Sequence, residues 1–460
     1  MADRTLVSDI PENTGGIVVV KGWVDSRRDH GKIIFIDLRD RTGLLQIVFT
    51  PSLKEVYEHA SELRDEWVVE VEGRVAERPL GMQNPELATG KVELQATRLE
   101  ILGRAETPPI PVHGDGYDIE EELRLKYRYL DLRRARMQKN IRLRHKVTSI
   151  VREYFDVKGF VEIETPLLTK TSPEGARDFV VPSRLQPGKF YALPQAPQQY
   201  KQLLMLAGFE RYYQIAKALR DEDPRGDRQF EHTQIDMEMS FAEERDVRDI
   251  IEGLMVQVVE SCAKKVLAKP FPVFTHKEAL KKFGADKFDM RPEPRDPDTL
   301  AFAWVVDFPL FERDEETKKY TFAHNPFSAP KKDDVDKLMQ GEDLGELKAQ
   351  QYDLVCNGYE LASGGVRISD PAVQKKVFEV MGLTPEETAE RFGHLIEAYK
   401  YGAPPHAGMA PGLDRLVMIL AGEPNISEVI AFPKTGTARD PLMGSPSELG
   451  VKQLKELHLK

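Results

Sequence analysis

Residues 220–238 read RDEDPRGDRQFEHTQIDME. An arginine and two acids lead into a turn marked by Pro224 and Gly226. A second Arg–Gln pair follows, and the chain leaves in a strand-like stretch carrying Asp236 and Glu238. Guanidinium groups at strand ends suit a polyphosphate, because each can grip phosphate oxygens through two parallel bonds. The interleaved acids suit an ammonium group or a magnesium ion. A charge run alone is more often a solvated turn, so the reading rests on what stands elsewhere in the chain.

With 460 residues, the length allows roughly three domains and a large core. Hydrophobic residues at 41% and charged residues at 31% fit a soluble globular protein. The net charge of −11 argues against a basic coat but leaves room for a local basic face that meets nucleic acid. Cys262 and Cys356 have neither disulfide-framework nor zinc spacing, which suits a reducing cytoplasm. The start, MADRTLVSDI, has no apolar secretion core, and no apolar run approaches the ~18 residues of a membrane span. The expectation is a cytoplasmic protein without membrane contact.

The first hundred residues read as a small β domain. Strand-like, Val- and Ile-rich segments lie at 17–24, 32–40, 43–50, 67–75 and 91–101, with a helical segment, SLKEVYEHASEL, at 52–63. Three strands, a helix and two strands is the order of an OB barrel, whose outer face commonly binds single-stranded nucleic acid. From 104 to 117 the chain turns Pro- and Gly-rich, as linkers do. The basic stretch RLKYRYLDLRRARMQKN follows, readable as a solvated helix or as a phosphate-contacting one. Val147, Ile150, Val151, Tyr154 and Phe155 then recur at helical spacing up to Gly159. FVEIETP alternates Val161 and Ile163 against Glu162 and Glu164 before Pro166 stops the strand. Later segments such as AFAWVVDF (301–308) alternate with long helices, so the remainder reads as one large α+β domain. No internal repeat or low-complexity tract is visible.

Near the C-terminus, HAGMAPGLDRLVMILAG (406–422) sets a small-residue loop before a helix carrying Asp414 and Arg415. An arginine at the start of a buried helix needs an anionic partner. The helix–strand–proline unit ending at Pro166, the 220–238 run and this loop resemble, in order, motifs 1, 2 and 3 of the class II aminoacyl-tRNA synthetases. SPEGARDF (172–179), FYALPQAPQQYKQLLM (190–205), RDED (220–223), YDLVCNGYELASGGVRI (352–368), GLDR (412–415) and IAFPKT (430–435) narrow the resemblance to bacterial-type aspartyl-tRNA synthetases. GWVDSRRDHGKIIFIDLRDR (22–41) extends it into the barrel.

The resemblance implies an anticodon-binding OB domain over 1–104, a hinge over 105–140 and, over 141–460, a catalytic domain built on an antiparallel sheet flanked by helices. It implies a homodimer that uses ATP and Mg2+ to activate L-aspartate and transfers it to tRNA(Asp). For the nucleotide it implies Arg220 on the α-phosphate, Arg415 on the γ-phosphate and Glu222 on the adenine amino group. Asp221, Gln229, His232, Glu360, Gly412, Leu413 and Asp414 lie around the same nucleotide. Asp353 and Glu360 would bind magnesium. Lys201 and Arg367 would read the β-carboxylate of aspartate, with Arg220 close by. Glu174, Gln198 and Asp236 would hold the ammonium, and His324 would close over the substrate from a mobile loop. Against asparagine, the expectation is that a neutral amide would leave the buried cations uncompensated. In the barrel, Phe35 is expected to stack on a base, Gln46 to read one and Arg28 to meet the backbone. The alternative for Phe35 is core packing.

The chain also departs from the family. After FGADKFDM only RPEPRDPDTL precedes the next strand, so the domain that bacterial members insert between motifs 2 and 3 is missing. His232 stands where most members stack a phenylalanine on adenine. Ser363 replaces a common glycine and has an oxygen to offer magnesium. Pro411, before GLDR, is read as a comfortable residue at a helix start. His30 is found in members that charge both tRNA(Asp) and tRNA(Asn), which sets the expectation of relaxed specificity. An asparaginyl or lysyl relative, an RNA-binding paralogue without activity and a free-standing asparagine synthetase are the alternatives. QAPQQYKQ with ELASGGVRI, the retained charged residues and the attached barrel argue against them in turn.

Overall fold

The computed structural model describes residues 3–171, 175–314 and 319–459. The chain divides into two compact units, Met1–Val112 and His113–Lys460.

The first unit is a closed five-stranded barrel. Its strands are β1 (Ile17–His30), β2 (Ile33–Arg39), β3 (Leu44–Phe49), β4 (Val68–Glu77) and β5 (Val92–Gly103), joined in the order β1-β2-β3-β5-β4. The helix α1 (Lys54–Glu62) lies between β3 and β4 in the chain, as the sequence order requires. All pairings are antiparallel except β3 with β5. The two-residue period of β2 sends Ile34, Ile36 and Leu38 into the barrel core and Phe35 and Asp37 outward.

The second unit is built on an eight-stranded sheet. Its strands run in the order Val273–Thr275, Phe302–Val306, Gln351–Cys356, Tyr359–Val366, His406–Pro411, Glu231–Ser240, Arg211–Leu219 and Val161–Glu162. The six inner strands are antiparallel, as expected. Each edge strand pairs parallel to its neighbour, so the sheet as a whole is mixed. The FVEIETP segment contributes only two residues to this edge, and Val161 is exposed.

Helices Ala135–Val157, Glu244–Ser261 and Leu413–Ala421 cover one face of the sheet. Strand alternation fixes what they cover. Ile235, Met237 and Met239 join Tyr352, Leu354, Ala407 and Met409 in this core, together with Val147, Ile150, Val151, Tyr154 and Phe155 of the first helix. Each such side chain contributes about 1.5–3 kcal/mol by leaving water. The residues between them, Gln234, Asp236 and Glu238, necessarily face the other way.

Three arginines of the basic stretch before Ala135 are neither solvated nor available to a phosphate backbone, although Lys126 is exposed. Arg124, Arg128 and Arg134 are buried around Asp131, which is fully inaccessible. Its carboxylate accepts from Arg124 at 3.0 and 3.1 Å, from Arg128 at 2.6 Å and from Arg134 at 2.7 Å. Glu428 takes a second fork from Arg124 at 2.8 and 3.0 Å. Pro411 is also placed differently from the expectation. It ends the strand His406–Pro411, and Gly412 caps the helix that follows.

Candidate active site

On the face of the sheet away from the helices lies a cavity of about 490 Å³. Its polar end is set by the strand Glu231–Ser240, the helix Gln198–Leu206 and the end of Tyr359–Val366. Lys201 Nζ lies 3.0 Å from Asp236 Oδ2 and 3.3 Å from Glu238 Oε2. Arg367 forks onto Glu238 at 2.8 and 3.2 Å. All four side chains are buried. Burial drives the Asp236 carboxyl above its usual range despite Lys201. Burial also opposes ionisation of Glu238, but Arg367 and Lys201 override it and hold that carboxyl low.

The quartet has a backbone requirement. A Cβ on Gly408 would lie 1.8 Å from Glu238 Oε2 and 2.3 Å from the Met237 carbonyl, so only glycine lets the carboxylate sit there. The structure changes one expectation about amino-acid selection. Lys201 and Arg367 are already balanced by Asp236 and Glu238, so an amide ligand would not leave them uncompensated. What an amide meets instead is a wall of N–H donors facing its own donors, which leaves buried groups unpaired.

Unused hydrogen-bonding groups converge beside the quartet. Asp236 Oδ1, Gln234 Oε1 and Gln198 Nε2 are buried without a partner, and all three residues line the cavity. Two acceptors next to buried carboxylates form a place for an ammonium group. His406, also fully buried, donates from Nδ1 to the Pro404 carbonyl at 2.8 Å and has its Nε2 unpartnered. Burial, only partly offset by Glu238, keeps its ring neutral.

The opposite end of the cavity is arginine-rich. Arg220 follows the strand Arg211–Leu219, and its Nε donates to the Gln195 carbonyl at 3.3 Å. Arg415 lies on the first turn of Leu413–Ala421. It donates to the Glu360 carbonyl at 2.6 Å and to Asp227 at 3.0 and 3.2 Å. Glu222 accepts from Arg228 at 2.7 Å. The Gln229 amide is held at both ends by the Lys434 backbone, at 3.0 and 3.1 Å. His232 lines the wall between them. Burial and the surrounding arginines, Arg220 first, push its ring down to about 3, so it is neutral at physiological pH.

Of the residues expected around the nucleotide, Leu413 and Asp221 lie off the cavity wall, and Asp414 lies on it with its carboxylate already occupied. Leu413 is packed in the core. Asp414 lines the cavity, but its carboxylate is taken up by Arg144 and by the Thr233 amide at 2.7 Å. Asp221 pairs with Arg177 at 3.7 Å and is not among the lining residues. Gly412 lines the cavity. Glu174 falls outside the described residues.

Asp353 and Glu360 stand on adjacent strands. Asp353 is buried, accepts from Gln351 Nε2 at 3.1 Å and lies 3.8 Å from His324 Nε2. Burial, then the Glu360 charge, raises its carboxyl well above the usual range. Glu360, although burial opposes it, is held low by Lys287 at 2.7 Å. His324 lines the cavity and packs on Phe308 with ring centroids 4.5 Å apart. Ser363 Oγ accepts from Gln351 Nε2 at 2.7 Å. Two like-charged carboxylates with oxygen-bearing neighbours fit a hard divalent cation. Among the described residues no group of three or more His, Cys, Asp and Glu side chains has metal-holding geometry. Asp353 and Glu360 would supply the carboxylate ligands, with phosphate or water oxygens completing the set.

In the first unit, Phe35 is half-buried and points outward, not into the core. Arg28 stands directly opposite it, Gln46 stands opposite Asp37, and His30 meets Phe35 edge-on at 6.4 Å. All four therefore share one outer face of the barrel. Arg28 is occupied by Asp37 at 2.8 and 3.0 Å. Gln46 donates to Glu93 at 2.9 Å, and Arg78 is buried with one terminal nitrogen unpartnered.

Sequence reasoning assigned no role to Glu238, His406, Lys287, Glu93 or Arg78. Glu238 carried a signal, since it follows Asp236 by two on a strand and must share its face.

An OB barrel, a largely antiparallel sheet and an arginine-rich cavity on that sheet define the class. The family described as tRNA synthetases class II (D, K and N) matches residues 120–436, and OB-fold nucleic acid binding domain matches 18–102. An asparaginyl-tRNA synthetase from Pyrococcus horikoshii, solved with asparaginyl-adenylate, shares the fold with a TM-score of 0.76 at 22% identity. The match covers 95% of this chain and 99% of that one. Aspartyl tRNA synthetase from Entamoeba histolytica gives 0.74 at 21%, over 94% and 91%.

Sequence relatives narrow the class. The aspartate–tRNA(Asp/Asn) ligase of Rubrobacter xylanophilus is 43% identical over 97% of this chain and 95% of its own. The aspartate–tRNA ligase of Staphylococcus carnosus is 40% identical over 97% of each. The chain belongs to the aspartate–tRNA ligase family of class II synthetases. The alignment with the Rubrobacter protein runs over 571 positions, 111 more than this chain has residues, so a long stretch of the relative has no counterpart here.

Proposed function

We propose that the chain activates L-aspartate with ATP and transfers it to the 3′-terminal adenosine of tRNA(Asp). The observation that carries this reading is the buried Lys201–Asp236–Glu238–Arg367 quartet, sharing one cavity with Arg220 and Arg415. Asp236 and Gln234 accept from the ammonium of aspartate, with Gln198 beside them, and Lys201 with Arg367 reads its β-carboxylate. The α-carboxylate then lies toward Arg220, which neutralises the α-phosphate it attacks. Arg415 holds the γ-phosphate, Glu222 takes the adenine amino group, Gln229 supports the nucleotide and His232 stacks on adenine as a neutral ring.

The attack brings two anions together, so positioning and charge neutralisation lower the barrier and no protein nucleophile is needed. Asp353 and Glu360 would hold Mg2+, which when bound neutralises the phosphate oxygens it touches. The barrel face carrying Arg28, His30, Phe35 and Gln46 reads the anticodon, with residues 1–104 as the binding domain, 105–140 as the linker, whose arginines at 124, 128 and 134 anchor it to the larger unit, and 141–460 as the catalytic domain. His30, and the naming of relatives as tRNA(Asp/Asn) ligases, favour charging of tRNA(Asn) as well. Exposed Val161, Leu167 and Leu168 in the motif 1 segment favour a homodimer. Two cysteines without disulfide bonds favour the cytoplasm, and among the described residues no helix is long and apolar enough to cross a membrane.

ATP–pyrophosphate exchange with aspartate, asparagine and lysine offered separately tests the pocket. Exchange with aspartate alone is expected, and exchange with another amino acid, or none, sinks the reading. Aspartylation of purified tRNA(Asn) tests the relaxed specificity, and sedimentation tests the dimer.

A further inference from the structure

The ammonium of Lys287 is not explained by folding alone. It lies 2.7 Å from Glu360 Oε2, on a side chain that is nearly half exposed. The backbone leaves it little choice of direction. Phe288, the next residue, is buried and stacks on Phe283 at 3.9 Å. Its carbonyl accepts from the Gly358 amide at 3.0 Å, which ties the segment to the turn just before Glu360. Asp289 is then clamped by Arg291 at 2.7 Å and approached by Arg295 at 3.5 Å. A short, pinned segment thus presents one cation to one of the two carboxylates that fit a divalent ion. The Glu360 carbonyl is meanwhile held by Arg415 at 2.6 Å, so the residue is fixed from both ends.

We propose that Lys287 is a placeholder cation: it occupies Glu360 until a divalent ion arrives with the nucleotide, and so keeps free metal off the Asp353–Glu360 pair. This rests on the reading of Asp353 and Glu360 as metal ligands. An ammonium and a divalent ion cannot share one carboxylate oxygen without strong mutual repulsion. Free Mg2+ must therefore displace Lys287 with only two protein ligands in return. Metal carried on ATP brings the polyphosphate with it, and the displaced ammonium, on its flexible stem, has a new anion to face. Lys287 acts through Glu360 and is a positioning residue.

The test is Mn2+ titration of the nucleotide-free, full-length protein, with free Mn2+ read by electron paramagnetic resonance. Removing a unit charge this close to the ion should tighten Mn2+ binding at least about tenfold in Lys287→Met. Lys287→Gln, which keeps a polar side chain if the methionine variant folds poorly, should show the same gain. Adding Glu360→Gln should remove it. A Lys287 variant that binds Mn2+ no more tightly than the parent overturns the proposal. The metal assignment is checked apart from it: an unchanged Mg2+ requirement for aspartate-dependent exchange in Glu360→Gln sinks that assignment itself. A Glu360→Gln defect without tighter Mn2+ binding in Lys287→Met sinks only the placeholder.

Discussion

Replacing Glu238 by glutamine removes one charge from the buried quartet while keeping its shape. The carboxylate serves two cations at once, Arg367 at 2.8 and 3.2 Å and Lys201 at 3.3 Å, and is wholly inaccessible to water. At an effective dielectric near 20, one unit pair at ~4 Å is worth about 4 kcal/mol. Breaking one partner of a buried pair costs about 3–5 kcal/mol in practice. Glutamine retains an acceptor oxygen, so the low end, about 3 kcal/mol, is expected for Glu238→Gln. Urea denaturation of parent and variant reads this loss directly. Aspartate at a hundredfold excess over Kd stabilises either protein by about 2.7 kcal/mol, so the comparison is made without ligand. Aspartate-dependent exchange should fall about a hundredfold in kcat/KM, because the Arg367 fork loses its orientation. A stability loss under about 1 kcal/mol, with unchanged KM for aspartate, would refute the idea that the four charges act as one unit.

Three other perturbations separate the parts of the molecule. Asp131→Asn leaves three buried arginines around a neutral amide and should cost about 3–5 kcal/mol, read by urea denaturation. His232→Phe tests a titration. The folded ring titrates near 3, below its unfolded value of 6.5, so its contribution to stability is complete above the unfolded pKa. It is lost as pH falls toward 3, because the unfolded chain then takes up the proton first. The phenylalanine variant should therefore lose less stability than the parent between those limits, and identical pH curves would contradict the burial of that ring. Phe35→Ala should raise KM for transfer RNA by an amount equivalent to about 1–3 kcal/mol, the value of one stacked base. Exchange, which uses no RNA, is its internal reference, and an unaltered KM would remove Phe35 from the interface.

The barrel was legible almost strand by strand, because its strands are rich in Val and Ile, β2 and β4 alternate, and its turns are marked by glycine and polar residues. The sense in which Phe35 points was also decidable, since Ile34, Ile36 and Leu38 take the core positions and leave the odd residues outside. The arginines at 124, 128 and 134 were not legible. Their acid partner Asp131 is local, but Glu428 is about 300 positions away, and a pairing of that range leaves no periodic trace. The same holds for the charge balance of the cavity. Lys201 and Arg367 were readable as cations, but their neutralisation by Asp236 and Glu238 depends on a strand meeting a helix and a distant loop. Leu413 was assigned to the nucleotide with its neighbours because a motif is contiguous, whereas a helix start turns successive side chains in different directions.

The strand His406–Pro411 lies between Glu231–Ser240 and Tyr359–Val366, yet it is the last strand of the chain to be made. On the ribosome, the larger unit therefore passes through a stage as two half-sheets, each with an open edge where its neighbour will insert. The cavity straddles that seam, so no unfinished chain can bind its substrates. Assembly of this unit depends on contacts between distant segments, the kind of topology whose folding is slowed by loop-closure entropy. The barrel, encoded first and closed on itself, faces no such delay.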